Sequence, residues 1–201
     1  MKAELGMQNA GERRLVIGIS GASGAILGIR ALEILRQIEG IETHLVLSPA
    51  AKQTIAQETD WALPDVLALA DVVHNYNDIG APLASGSFAT LGMIVLPCSI
   101  KTLSAIANCY ADNLLVRAAD VTLKEGRPLI LCVREAPLHR SHLRLMDQAS
   151  AAGAVIFPPV PAFYAQPKDV TEIVDHIIGR VLARLGIANE QYFKWKESGN
   201  F

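Results

Sequence analysis

Residues 18–25 read GISGASGA, directly after the apolar run Leu15-Val16-Ile17 and directly before ILGI. A strand, a glycine turn and a helix start, in that order, aim backbone N–H groups at an anion. A nucleoside triphosphate loop requires G-x-x-x-x-G-K-[ST], and no lysine follows Gly24. A dinucleotide requires G-x-G-x-x-G and an acidic residue about 20 positions on, to hold the ribose diol. Only Gly21 and Gly24 are in register, and the second strand ends in Ser48. Two readings remain: a cradle made by Gly21, Ala22 and Ser23 for a mononucleotide such as FMN, or a tight turn with no ligand.

Other residues with chemistry sit where strands should end. After MIVLP come Ser99, Ile100, Lys101 and Thr102 at a helix start. They suit a flavin's phosphate or polar edge, or ordinary capping by Ser99. After PLILCV comes the pair Arg134–Glu135, followed by Pro137. Arginine grips phosphate bidentately and glutamate moves a proton, whereas a rim salt bridge is the plainer reading. Arg117 and Lys124, seven residues apart, lie about 20° from each other on one helix face. They form half of an anion site or a solvated surface. Tyr164 stands in a proline-bounded loop, offering a ring face and a hydroxyl. Arg180 borders the apolar stripe of the last helix, with Arg184 as its rival. His139 and His142 share a helix face without HExxH or a third ligand, which disfavours a metal.

The elements that must position these groups alternate. Strands are expected at 15–20, 41–48, near 71–76, 93–97, 128–133 and 154–159. Helices are expected at 24–38, from Pro49 with Ser48 as N-cap, near 64–70, at 99–107, 112–126, 139–153 and 170–185. Near-continuous aliphatic strands predict a mostly parallel sheet covered on both faces, an α/β three-layer sandwich of Rossmann-like type. In such a sheet ligands bind beyond the carboxyl ends of the strands.

The chain has 201 residues, 51% of them hydrophobic and 19% charged, which excludes a disordered polymer and suits a single domain over 14–201 after a polar tail at 1–13. A net charge of −2 gives no general attraction for nucleic acid or acidic membranes. The N-terminus lacks an apolar signal core, and no apolar stretch reaches the roughly 18 residues of a membrane span. Three separated cysteines form no zinc pattern and suit a reducing cytoplasm.

Taken together, GASGA, PCSIKTLSAIA, RAADVTLKEGRPLILCVREAPL and PAFY resemble the UbiX family of flavin prenyltransferases, over residues 14 to about 196. The resemblance implies a flavodoxin-like sandwich assembled as a dodecamer, with FMN near subunit interfaces and no metal. It implies transfer of a dimethylallyl group from dimethylallyl phosphate to N5 and C6 of reduced FMN, the product serving UbiD-type decarboxylases. Matched by position, Gly21, Ala22, Ser23, Ser48, Ser99–Thr102 and Arg134 would contact FMN. Tyr164 and Arg180 would hold the substrate phosphate, with Arg117, Lys124 and Arg134 in or near that pocket. Ser23, Glu58, Lys124 and Glu135 would serve the chemistry, and Trp195 would be a tail aromatic near it. One stretch departs from the family pattern: HRSHLRLM carries Arg144 and Leu145 where many relatives have Glu–Asn. A flavin-dependent cysteine-type decarboxylase of the same fold would carry a PASANT-like turn and an acid–base histidine, and here the turn is PCSIKT. A non-catalytic FMN carrier would need no second phosphate site.

Overall fold

The aliphatic strands sort their side chains to two sides. In the computed structural model, which describes residues 13–194, the strands are β1 (Arg13–Ile19), β2 (Ile41–Leu47), β3 (Val72–His74), β4 (Gly92–Cys98), β5 (Leu129–Val133) and β6 (Val155–Ile156). Leu15, Ile17, Leu45, Leu47, Ile94, Leu96, Ile130 and Cys132 join one buried cluster; Val16, Val46, Met93, Val95, Leu129, Leu131 and Val133 join another. That period of two is the pleat of a sheet buried on both faces.

On the first face lie α1 (Ala25–Leu35), α2 (Pro49–Glu58), α3 (Leu63–Leu67) and α7 (Val170–Arg184); on the second lie α4 (Ile100–Ala107), α5 (Leu114–Lys124) and α6 (Arg140–Ala151). The stripe on α7 delivers Val174, Ile177, Ile178, Val181 and Leu182 to the core, each contributing about 1.5–3 kcal/mol relative to exposure. Arg30 of α1 clamps Asp175 of α7 through two hydrogen bonds of 2.7 and 3.1 Å.

All strand pairs are parallel, in the order β3-β2-β1-β4-β5-β6. This is the expected three-layer sandwich, with the six-stranded Rossmann-like order. The chain winds outward from β1 in one direction, then from β4 in the other. The carboxyl ends of β1 and β4 therefore border a topological switch point.

Several boundaries differ from expectation. The expected strand at 154–159 narrows to Val155–Ile156, with the Phe157 N–H still donating to the Leu131 carbonyl, because Pro158 and Pro159 lack the N–H a ladder needs. β3 shortens to three residues at the sheet edge. β1 begins at Arg13, opposite Ile41, so it takes one residue of the expected tail; residues 1–12 lie outside the described ones. Ser48 caps α2 as expected, its hydroxyl accepting the Ala51 N–H, with Pro49 in the first turn. In the divergent stretch Arg144 is exposed, while Leu145 packs on the second-face core.

Candidate FMN and substrate site

The ends of β1 and β4 are stitched together by Ser20, which is fully buried. Its hydroxyl donates to the Pro97 carbonyl at 2.9 Å and accepts the Ser99 N–H at 2.7 Å. The Ser48 N–H reaches the Ile19 carbonyl at 3.0 Å, and the Arg134 N–H reaches the Cys98 carbonyl at 3.0 Å. The loops after β1, β2, β4 and β5 are thus held in one row by hydrogen bonds rather than by loop stiffness.

A cavity of about 910 Å³ opens beside this row. Gly21, Ser48, Ser99, Lys101 and Thr102 line one part of it; Tyr76, Tyr110, Asp112 and Asn113 line another. The Ser99 hydroxyl caps α4 by accepting the Thr102 N–H at 3.2 Å and donates to Thr102 Oγ1 at 3.1 Å. Ile100 packs its side chain on the second-face core and does not line the cavity. Asn113 Oδ1 caps α5 by accepting the Val116 N–H at 3.0 Å, and the Leu114 N–H donates to the Tyr76 carbonyl. Hydroxyls, one lysine and aromatic walls form a donor set and size suited to a flavin mononucleotide.

The glycine turn itself is not an empty anion site. Gly24 takes φ +98°, a left-handed value that a Cβ would strain, and stands at the N-cap of α1. The two N–H groups that open α1 are occupied from within the chain: Glu58 Oε2 accepts from Gly24 at 2.7 Å and from Ala25 at 3.4 Å. The neighbouring Ser23 hydroxyl also favours the ionised form of this carboxylate. Burial alone would raise the Glu58 carboxyl, but these bonds and the nearby Arg134 charge outweigh it and hold it below the ordinary range. The phosphate suggested by the motif alone therefore finds a carboxylate in its place. What the turn offers a ligand is its Gly21 end, with Ser23 fixed by Glu58.

The remaining expected residues fall into separate groups. On the second face, Arg117 donates to Asp120 at 2.7 Å and to the Ala84 carbonyl at 3.2 Å, while Lys124 pairs with Glu125. On the first face, Tyr164 lies 3.4 Å from His176 Nε2, and the Arg180 charge acts on the same histidine. The sheet separates α5 from α7, so one chain does not bring these cations and the tyrosine into a single pocket. Glu135 is exposed and its carboxylate accepts the Ala136 N–H at 3.1 Å. Trp195 lies outside the described residues. The ring centroids of His139 and His142 lie 3.5 Å apart with the planes tilted by 34°, and His139 caps α6. Burial pushes the Cys98 and Cys132 thiols well up, which makes them poor nucleophiles.

Sequence reasoning missed Ser20, Asn113, Tyr76 and His176. Ser20 carried a signal, a hydroxyl closing an otherwise apolar run; Asn113 carried the usual N-cap preference. Tyr76 and His176 are found only through contacts remote in sequence.

The flavoprotein family model matches residues 5–182. Flavin prenyltransferase UbiX of Escherichia coli K12 is 57% identical over 92% of this chain and 98% of that protein. The crystal structure of AnUbiX (PadA1) in complex with FMN and dimethylallyl pyrophosphate superposes with a TM-score of 0.90 at 49% identity, over 92% of this chain and 98% of that one. A dodecameric FMN-dependent UbiX-like decarboxylase from E. coli O157:H7 gives 0.89 at 49% identity, over 91% and 99%. The chain accordingly belongs to the flavoprotein family and, within it, to the flavin prenyltransferases of the UbiX type.

Proposed function

We propose that the chain binds FMN in the cavity beside the strand ends and transfers a dimethylallyl group from dimethylallyl phosphate to it. The observation that carries this is the convergence of Gly21, Ser48, Ser99, Lys101 and Thr102 on one cavity, with the Ser23–Glu58–Arg134 cluster in the adjoining turn. When bound and reduced, FMN would supply two nucleophilic atoms: a bond to N5 replaces the carbon–oxygen bond to phosphate with loss of the N5 proton, and a bond to C6 forms as the allyl double bond takes up a proton and the C6 proton leaves. The N-terminus of α4 and Lys101 hold the FMN phosphate. Glu58 aligns Ser23 against the flavin edge. Arg117, Lys124, Arg134, Tyr164 and Arg180 bind the departing phosphate, where negative charge grows during the reaction. Glu135 accepts the proton released from the ring. Apolar walls and the aromatic groups keep out the water that would trap the allyl cation.

The separation of Arg117 and Lys124 from Tyr164 and Arg180 by the sheet supports a site completed by neighbouring copies of the chain. A homododecamer with shared sites is the assembly we propose, acting in the cytoplasm and passing prenylated FMN to a UbiD-type decarboxylase. No described helix is long and apolar enough to cross a membrane. The test is anaerobic incubation with reduced FMN and dimethylallyl phosphate or pyrophosphate, followed by flavin mass. A gain of one dimethylallyl unit is expected; unchanged, protein-bound FMN with either donor would refute the assignment.

A further inference from the structure

His176 is a buried polar residue on α7, 7% exposed, and both of its ring nitrogens are engaged. The segment after α7 folds back along the helix. A Cβ on Gly179 would stand 2.8 Å from Asn189 Oδ1 and 2.9 Å from the Tyr192 nitrogen, so only glycine permits the approach. Asn189 Nδ2 donates to the Gly179 carbonyl and Asn189 Oδ1 accepts the Gln191 N–H, each at 3.1 Å. This path delivers the Phe193 N–H to His176 Nδ1 at 3.3 Å. A ring nitrogen that accepts a backbone N–H carries no proton, so the neutral imidazole is protonated at Nε2. Nε2 faces Tyr164 Oη at 3.4 Å, the two rings meeting edge to face at 82° and 5.7 Å. Burial, and then the charge of Arg180, lower the His176 pKa and favour this neutral form.

We propose that His176 is a positioning residue for prenyl transfer: the backbone of the C-terminal segment fixes its tautomer, and its Nε2–H fixes the Tyr164 phenol as a hydrogen-bond donor toward the substrate phosphate. The phenol oxygen accepts from the imidazole, so its own proton points away from His176. The same ring ties the loop bearing Tyr164 to the chain segment that leads into Trp195. This rests on the reading of Tyr164 as a phosphate ligand.

The experiment compares wild type, Tyr164→Phe, His176→Asn, His176→Gln and the double variant Tyr164→Phe/His176→Asn in steady-state prenylation, with thermal unfolding and FMN affinity measured alongside. Asparagine keeps an acceptor near the Nδ1 position and loses the donor at Nε2; glutamine places an amide donor near Nε2. His176→Asn is expected to raise KM for dimethylallyl phosphate about three- to tenfold, the loss of one hydrogen bond, with kcat and FMN affinity near wild type. His176→Gln is expected within about twofold of wild type, and the double variant no worse than Tyr164→Phe. An unchanged KM in His176→Asn beside a raised KM in Tyr164→Phe overturns the role of His176 alone. An unchanged KM in Tyr164→Phe overturns the reading of Tyr164, and the proposal falls with it. Should His176→Asn fail to fold, a KM in His176→Gln as high as that of Tyr164→Phe overturns the proposal, and one near wild type supports it.

Discussion

Glu58 acts as an internal anion at the start of α1, and its removal has a size that can be worked from the contacts. The carboxylate satisfies the N–H groups of Gly24 and Ala25 beside the Ser23 hydroxyl. Loss of an N-cap acceptor costs about 1 kcal/mol, and loss of a negative charge at a helix N-terminus about 0.3–1 kcal/mol. Glu58 is exposed, so solvent screens the charge and the lower half of that range applies. Glu58→Ala should therefore destabilise by about 1–1.5 kcal/mol, or roughly 3–5 °C in Tm for a chain of this size. Glu58→Gln keeps one carbonyl acceptor and loses only the charge, so it should lose about half as much. The sign with pH follows from the lowered carboxyl. Its stabilisation is present above the ordinary glutamate value and is lost as pH falls through the lower folded value. Thermal unfolding from pH 7 down to about pH 3 should show wild type and Glu58→Gln converging in acid. A constant gap across that range, or a Glu58→Ala protein as stable as wild type, would refute the assignment of Glu58 to this helix terminus.

Ser20→Ala leaves the half-buried Ser99 N–H without its acceptor, so it should cost about 1–2 kcal/mol and weaken FMN binding, both read from denaturant unfolding and flavin fluorescence. His44, His74 and His176 all have lowered pKa values, His44 and His74 lying 2.8 Å apart between β2 and β3. Their contribution is present above the ordinary histidine value and fades as pH drops below about 6.5, so Tm should fall on that side, and less steeply in a His44→Gln/His74→Gln protein. Leu182→Ala removes a fully buried contact of α7 and should cost about 2–5 kcal/mol by chemical denaturation. Glu135→Gln should retain FMN while losing turnover at saturating donor; wild-type kcat would remove Glu135 from proton transfer.

The layers of the fold were legible because they rest on short-range patterns. Alternating apolar strands, the Ser48–Pro49 helix start and the stripe on α7 each declare themselves within a dozen residues, and all three stand in the structure. The proposed FMN cradle was legible in part, since Gly21, Ser48, Ser99, Lys101 and Thr102 each follow a strand end and line one cavity. What the glycine turn does was not legible from its motif. The carboxylate that fills its helix terminus comes from Glu58, 34 residues on, and no local signal reports such a contact. The same holds for Ser20, whose partners lie in the loop after β4, and for His176, whose tautomer is set by a chain segment 17 residues away. The stretch at 154–159 was over-read because its apolar residues suggested strand while its two prolines cannot donate.

Prenyl transfer as proposed requires a site shared between faces of different subunits. Lys124→Ala and Arg180→Ala alter opposite faces of one chain, so each homo-oligomer should bind FMN and prenylate it poorly. Co-expressed as mixed oligomers, they should regain prenylated FMN, detected by flavin mass, because some sites combine an intact Lys124 from one copy with an intact Arg180 from another. Mixed oligomers no more active than either parent would contradict the shared site.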